Sequence, residues 1–243
     1  MNVATGVLLF AMLWPTVAAV GYFVGLASEE GTAGAPNAAF QACYTVSKVI
    51  QFALPVLWLG FWQGQKLRPG RPTFAGLWFG VVFGGLVAGT IIGIYFGFLR
   101  DTFLFHVMGP KLRAKLADYG AATPLRFALL GSFITLLHSL LEEYYWRWFV
   151  FGELKRVISV GAAIVSSSFA FMAHHVVVLL TYVPNVFFVL ALCLGIAVGG
   201  MVWAWMYNRW GSIWSVWLSH LLIDAAAIIV GFDIAFRTPA SLS

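Results

Sequence analysis

Long apolar runs constrain this chain more than any other feature of its sequence. We place seven of them near residues 3–27, 40–63, 75–98, 127–153, 160–181, 184–206 and 212–232. Each is long enough to cross the hydrocarbon core of a bilayer as a helix, which takes about 20 residues. A backbone that crosses lipid must satisfy its hydrogen bonds internally, and a helix does so within one segment. The sequence therefore predicts an all-α polytopic transmembrane bundle of about seven or eight helices.

The segment between the third and fourth runs contains one shorter helical pattern, GPKLRAKLADYG. Pro110 is suited to the first turn of a helix, and Gly120 to the position just after its end. The pattern carries three basic residues, Lys111, Arg113 and Lys115. We therefore expect a short helix here that lies in the membrane interface.

Composition excludes a soluble domain and a nucleic-acid partner. Of the 243 residues 61% are hydrophobic and only 9% are charged, which is far outside the range of soluble globular proteins. The net charge of +5 comes from Lys and Arg between the apolar runs, where such residues orient the spans and contact lipid headgroups. Residues 1–243 are predicted to form a single integral membrane domain.

Polar side chains inside the apolar runs are costly in lipid and are therefore functional candidates. They are Lys48, Gln51, His138, Glu142, Glu143, Arg147, Ser166 to Ser168, His174, His175, His220 and Asp224. We interpret Lys48 as snorkelling towards a span end, the alternative being that it binds a carboxylate-ended substrate. The abundant tryptophans, Trp203 among them, are expected to form an interfacial belt.

Helical spacing predicts contacts among these polar residues. Glu143 and Arg147 are four residues apart, so they can pair on one helix face. Glu142 is turned about 100° away from that pair and has no obvious local counter-ion. His220 and Asp224 are also four apart and share a face.

Depth along the helices brings three of the spans together. If the fourth and fifth runs turn near residue 158, Glu142 and His175 each lie roughly 25 Å along the helix from that turn. A turn near Arg209 places His220 and Asp224 roughly 15 to 25 Å from the same side. Three spans therefore aim titratable groups at one layer, which is what a buried reaction chamber requires.

Three motifs in these spans resemble a known family. EEYYWR (142–147) matches an EExxxR motif, FMAHH (171–175) an FxxxH motif, and HLLID (220–224) a motif of His followed four residues later by Asn or Asp. In this order they resemble the CPBP intramembrane proteases, which include CAAX prenyl endopeptidases, bacteriocin-processing and self-immunity proteins, and a myxosortase-like branch. The resemblance covers about residues 125–235, which are predicted to form the catalytic core.

The resemblance implies a role for each motif residue. Glu142 would activate a water molecule with His175 beside it, while His220 and Asp224 would stabilise the oxyanion. The supporting residues would be Glu143, Arg147, His174 and Phe171. Spacing from Phe171 selects His175 rather than its neighbour. An ionised aspartate only accepts hydrogen bonds, so Asp224 must be protonated or act through His220.

A metal site is the alternative to this chemistry. The resemblance implies a glutamate-dependent reaction without a metal, and we favour no cofactor. Zinc would instead use His138, Glu142, His175 and His220, because histidine and carboxylate are its normal ligands. Without a metal, His138 is interpreted as a hydrogen-bonded core histidine.

The expected function is hydrolysis of a peptide bond in a membrane-embedded or membrane-proximal segment, either lipid-modified or a C-terminal sorting tail. The partners would be the lipid bilayer and a membrane-associated peptide, in a prokaryotic cytoplasmic membrane. Alternatives are a non-proteolytic immunity or scaffold protein, a haem-binding membrane protein and a proton-coupled transporter. The haem hypothesis leaves the glutamate pair unexplained, and the transporter hypothesis lacks an internal repeat.

Overall fold

The computed structural model of the chain describes residues 3–25, 38–65 and 70–237. Over these ranges the chain forms eight helices and no β-strand. They are α1 (Val3–Gly25), α2 (Ala38–Trp62), α3 (Phe74–Leu99), α4 (Phe103–Asp118), α5 (Pro124–Leu154), α6 (Val160–Tyr182), α7 (Val186–Trp210) and α8 (Ile213–Phe236). All except α4 are long and apolar enough to cross a membrane. The predicted all-α polytopic bundle is confirmed.

Polar caps and one glycine set several helix ends that hydropathy placed a few residues away. The Thr123 side chain accepts a hydrogen bond from a backbone N–H in the first turn, so α5 begins at Pro124. Asn185 caps α7 in the same way, with a distance of 3.0 Å. Gly211 ends α7 with a φ of 62°, a conformation that glycine adopts without strain. The predicted spans are therefore right in number, and their ends within the described residues are off by about four residues at most. Residues 26–27 of the first predicted span lie outside the described residues.

Helix α4 differs from the prediction at its start. It begins at Phe103, so Pro110 lies inside the helix, and the prediction that this proline begins it is wrong. The preceding turns are held in place because Phe105 and Met108 are buried against α3, α7 and α8. Packing thus extends the helix upstream of the proline. The predicted end is right, since Gly120 follows the helix with a φ of 67°.

Helices α3 and α8 approach closely along a row of glycines. A Cβ atom added at Gly80 would lie 2.3 Å from the carbonyl oxygen of Ser215, and one at Gly84 would lie 2.7 Å from that of Ser219. Close backbone approach through small residues is typical of packing within membranes. This contact fixes the position of α8, the helix that carries the third motif.

Helix α5, which carries the glutamate pair, is locally widened on both sides of that pair. Its turns are π-helical over Ile134–His138 and over Tyr144–Phe151. Such turns are rare in proteins and often occur at functional sites. The second widened stretch contributes five of the sixteen buried side chains of the main core, and Tyr145, Phe149, Val150 and Phe151 among them are fully buried. The glutamate pair therefore lies directly before a tightly packed stretch of α5.

Candidate active site

A cavity of about 390 Å³ lies in the bundle and is lined by residues of α1, α2, α4, α5, α6 and α8. Part of its wall is apolar, from Leu112, Phe127, Leu130 and Ile228. Its charged and imidazole side chains are Lys48, His138, Glu142, His174, His175, His220 and Asp224. Small-molecule sites typically occupy about 300–1,000 Å³. Helices α5, α6 and α8 thus bring the three motifs to one chamber, as the depth argument predicted.

Glu142 is the centre of the imidazole cluster. Its side chain is buried, and three imidazoles approach its carboxylate from three different helices. One carboxylate oxygen lies 3.3 Å from Nε2 of His138 and 3.6 Å from Nε2 of His174, and the other lies 3.8 Å from Nε2 of His220. The sequence left this carboxylate without a local counter-ion, and the structure supplies titratable neighbours from α6 and α8 as well as from its own helix.

Glu143 faces a different set of partners. Its Oε1 atom lies 3.1 Å from the guanidinium of Arg147, which confirms the pairing predicted from their spacing. The same oxygen lies 2.6 Å from Nδ1 of His220. Because an ionised carboxylate only accepts hydrogen bonds, the Nδ1 atom carries the hydrogen in this contact. Glu143 therefore orients the histidine of the third motif, a role that spacing along one helix could not reveal.

Arg147 is enclosed by aromatic rings. Its guanidinium carbon lies 4.5 Å from the ring centre of Phe171 and 4.9 Å from that of Trp203. Cation–π contacts of this kind are strongest where the cation is desolvated, and Arg147 is only 2% exposed. The motif phenylalanine also packs edge-on against the rings of His174, His175 and His220. Phe171 thus supports the site through packing.

The third motif is held by stacking. The ring of His220 stacks on Trp203 with centroids 4.3 Å apart, and the indole N–H of that tryptophan donates to Ser219 at 3.0 Å. Trp203 is only 4% exposed, so the expectation that it belongs to an interfacial belt is wrong. Nε2 of His220 lies 3.5 Å from Asp224, as their shared helix face predicted.

Both histidines of the second motif face Glu142. His175 uses Nδ1 against the backbone oxygen of Phe171 at 3.0 Å, which leaves its Nε2 for the cavity. His174 is the nearer to the carboxylate and is stacked on Trp146. The two rings lie 4.0 Å apart, so a turn of about 100° between neighbours does not separate them here. Sequence spacing assigned His174 an indirect role, yet the structure brings it into contact with the carboxylate.

The donor atoms are compatible with a metal. One ligand atom from each of Glu142, His174 and His175 lies within 4.8 Å of the others. Two imidazoles and a carboxylate are a normal catalytic zinc set that leaves a coordination position open. This grouping differs from the predicted set, because His174 takes the place of His138 and His220.

The fold and the site together define a polytopic all-α membrane protein with a carboxylate–imidazole site in an internal cavity. Comparison with known proteins gives a family match for part of the chain. Residues 124–226 match the family model described as type II CAAX prenyl endopeptidase Rce1-like. This match runs from the start of α5 into α8 and confirms the resemblance to the CPBP family for the segment that carries the three motifs. The Rce1-like family is a protease family. No curated protein and no solved structure matches the chain.

Proposed function

We propose that this protein is an intramembrane endopeptidase that uses Glu142 to activate water. The observation that carries the proposal is a buried carboxylate contacted by three imidazoles inside a cavity of a membrane-spanning bundle. Titratable side chains are energetically costly inside a membrane, and those that are retained there typically have a function. The family match supports proteolysis as that chemistry.

The first step is the addition of water to the scissile carbonyl. Glu142 takes a proton from the water as its oxygen bonds to the carbonyl carbon, and the carbonyl π electrons move onto the oxygen. His175 orients the attacking water through the ring nitrogen that its backbone contact leaves available. His138 and His174 contact the same carboxylate and hold it in position.

The oxyanion is stabilised by His220. Its Nδ1–H is fixed on Glu143, so Nε2 points to the side where Glu142 and Asp224 lie. The imidazole has two further carboxylate oxygens 3.5 and 3.8 Å from Nε2, and these act as acceptors for a hydrogen on that nitrogen. It donates Nε2–H to the oxyanion. Asp224 then acts through His220, which removes the difficulty that an ionised aspartate cannot donate.

Collapse of the intermediate completes the reaction. The oxyanion re-forms the carbonyl as the C–N bond breaks, and Glu142 returns its proton to the departing amine nitrogen. The products are a new carboxyl terminus and a new amino terminus. If zinc binds, Glu142, His174 and His175 would hold it, and it would supply a bound water that is acidic near neutral pH. Cleavage that survives prolonged dialysis against a chelator would support the route without a metal.

The substrate in this proposal is a membrane-embedded or membrane-proximal peptide segment near a C-terminal tail, lipid-modified or a sorting signal. The proposed location is a prokaryotic cytoplasmic membrane. The cavity is lined by five of the seven spans, which supports a substrate that is itself in or beside the membrane.

The test compares peptide termini in the membrane and secreted proteomes of cells that carry the wild type, Glu142→Gln or Glu153→Gln. The second variant is the matched control. Glu153 is a buried carboxylate on the same helix, but it accepts hydrogen bonds from Trp58 and Gln63 and does not line the cavity. We expect a discrete set of termini to disappear in Glu142→Gln and to persist in the control.

Two results would contradict the proposal. Cleavage that survives both Glu142→Ala and His175→Ala would refute the mechanism. Identical termini in all strains, with equal expression and folding, would favour a non-proteolytic immunity or scaffold role instead.

A further inference from the structure

Lys48 lies far from either end of its span. It is about ten residues, or roughly 15 Å, beyond the start of α2, which runs to Trp62. Its side chain lines the same cavity as Glu142, His174 and Asp224. The interpretation that this lysine snorkels to a span end is therefore wrong.

The ammonium group of Lys48 is held by neutral partners. It donates a hydrogen bond to Oε1 of Gln51 at 3.1 Å. It lies 5.7 Å from the ring centre of Tyr44 and 5.6 Å from that of Phe52. Over the described parts of the chain, no carboxylate forms an ion pair with it.

This arrangement differs from that of Arg147, a cation that is almost fully buried in the bundle. Arg147 has a direct carboxylate partner at 3.1 Å as well as two rings. Lys48 has the rings and one amide, and its remaining two N–H donors need acceptors, because an ammonium has three. A cation at this depth without a carboxylate is costly unless a ligand or water in the cavity completes its shell.

The volume of the cavity that Lys48 shares with Glu142 sets the scale of that ligand. Lys48 and Glu142 form no ion pair with each other. Both line a cavity of about 390 Å³. A chain segment of only a few residues fits between the carboxylate that activates water and the cation. A negative group bound at Lys48 would therefore lie close in sequence to the scissile bond.

We propose that Lys48 binds a carboxylate of the substrate and so determines specificity. The geometry favours the α-carboxylate at the substrate's C-terminus, which would set cleavage a few residues from the end of the chain. An Asp or Glu side chain near the scissile bond offers the same chemistry. This inference rests on the proposed function, because it assigns a substrate feature to that site.

A different role for Lys48 would be to act on Glu142 alone, as a nearby positive charge. That role affects every substrate equally. The proposed role affects only substrates with a carboxylate, and this difference makes the two distinguishable.

The experiment measures binding rather than hydrolysis. The purified Glu142→Gln protein is equilibrated with a mixture of N-acetylated hydrophobic tripeptides, each made with a free C-terminal carboxylate and as the C-terminal amide. A second mixture contains amides that carry one internal Glu or, in the matched peptide, Gln. Mass spectrometry gives the ratio of each pair retained by the protein.

We expect the acid to be retained about 10- to 100-fold more strongly than its amide, as for a hydrogen bond between charged groups. In Lys48→Met the ratio should fall to near one, and Lys48→Arg should restore part of it. Preference for the internal Glu amides over their Gln partners, with no preference among termini, would assign the carboxylate to a side chain.

Lys155→Met is the matched control. This lysine also lies between two rings, 5.4 Å from Phe151 and 5.6 Å from Tyr207, but outside the cavity. Its loss should leave the ratios unchanged. The inference would be overturned if the lysine-containing protein retained both members of every matched pair equally, or if its preference for the carboxylate persisted in Lys48→Met.

The two proposals fail separately in these measurements. Absence of substrate cleavage in cells would refute the endopeptidase and leave carboxylate binding measurable. Cleavage that depends on Glu142, together with equal retention of acid and amide, would refute only the role of Lys48.

Discussion

Replacing Glu143 with glutamine should destabilise the protein strongly, although the two side chains have nearly the same shape. Glu143 is fully buried and contacts both Arg147 and His220 through one oxygen. Glutamine keeps an acceptor oxygen but not the negative charge. Arg147 would then remain as a cation in the core, with two aromatic rings as its main partners.

The magnitude follows from this loss of compensation. Removing one partner of a buried ion pair typically costs about 3–5 kcal/mol. The ring contacts of Arg147 are present before and after the change, so they do not offset the cost. We expect a loss near the lower value, about 3 kcal/mol, because unfolded chains in a membrane find alternative polar partners. This corresponds to roughly a 150-fold change in the folded-to-unfolded ratio.

Equilibrium unfolding in mixed micelles of a mild detergent and an anionic one measures this free energy. Reactivity of Cys193, which is buried at 3% exposure in α7, provides the readout. Arg147→Met and the double variant Glu143→Gln/Arg147→Met complete a cycle. The double variant should be less destabilised than the sum of the two single variants, because it leaves no uncompensated arginine.

Two outcomes would refute this reasoning. A loss below about 1 kcal/mol in Glu143→Gln would mean that the charge is not needed to hold Arg147, since buried pairs normally cost more to break. Strict additivity in the cycle would mean that the two residues are not coupled.

Three further predictions concern packing, positioning and pH. Gly80→Ala should destabilise the protein, because its Cβ would lie 2.3 Å from a backbone carbonyl oxygen of α8. Gly85→Ala should be tolerated, because its Cβ would meet nothing within 4 Å. The thermal unfolding temperatures of the two variants test this difference. Trp203→Leu should lower kcat more than it raises KM for a cleaved substrate, because the stacked ring positions His220 and not the substrate; equal effects on both would contradict this. Burial lowers the pKa of Lys155 below its ordinary value of 10.5. Between the folded-state pKa and the unfolded-state pKa the unfolded chain binds more protons, so the free energy of unfolding should rise with pH over that range. Lys155→Met should remove this slope.

Much of the fold could be predicted from the sequence because its determinants are local. Each span is recognisable by its own length and apolarity, and the pairing of Glu143 with Arg147 follows from their separation along one helix. Helix ends are also local, but they depend on caps such as Thr123 and Asn185, which an average of hydropathy does not register. The start of α4 shows a limit of local rules, because packing of the preceding turns overrides the usual position of a proline.

The candidate site could be predicted only in part. The motifs identified the residues, and their distances along the helices predicted that they lie in one layer. The contacts within that layer join distant parts of the chain, as in the bond between His220 and Glu143. Such contacts depend on how helices rotate and tilt against one another, which no single helix specifies.

The sequence by itself therefore determined the class of fold, the seven spans and the set of polar residues buried in them. These follow from the cost of exposing polar groups to lipid and from the period of a helix. Only the tertiary structure decided that His174 contacts Glu142, that Trp203 stacks on His220 and that Lys48 faces the cavity. Those facts depend on side-chain packing between helices, because the direction of a side chain is fixed by what its neighbours leave open.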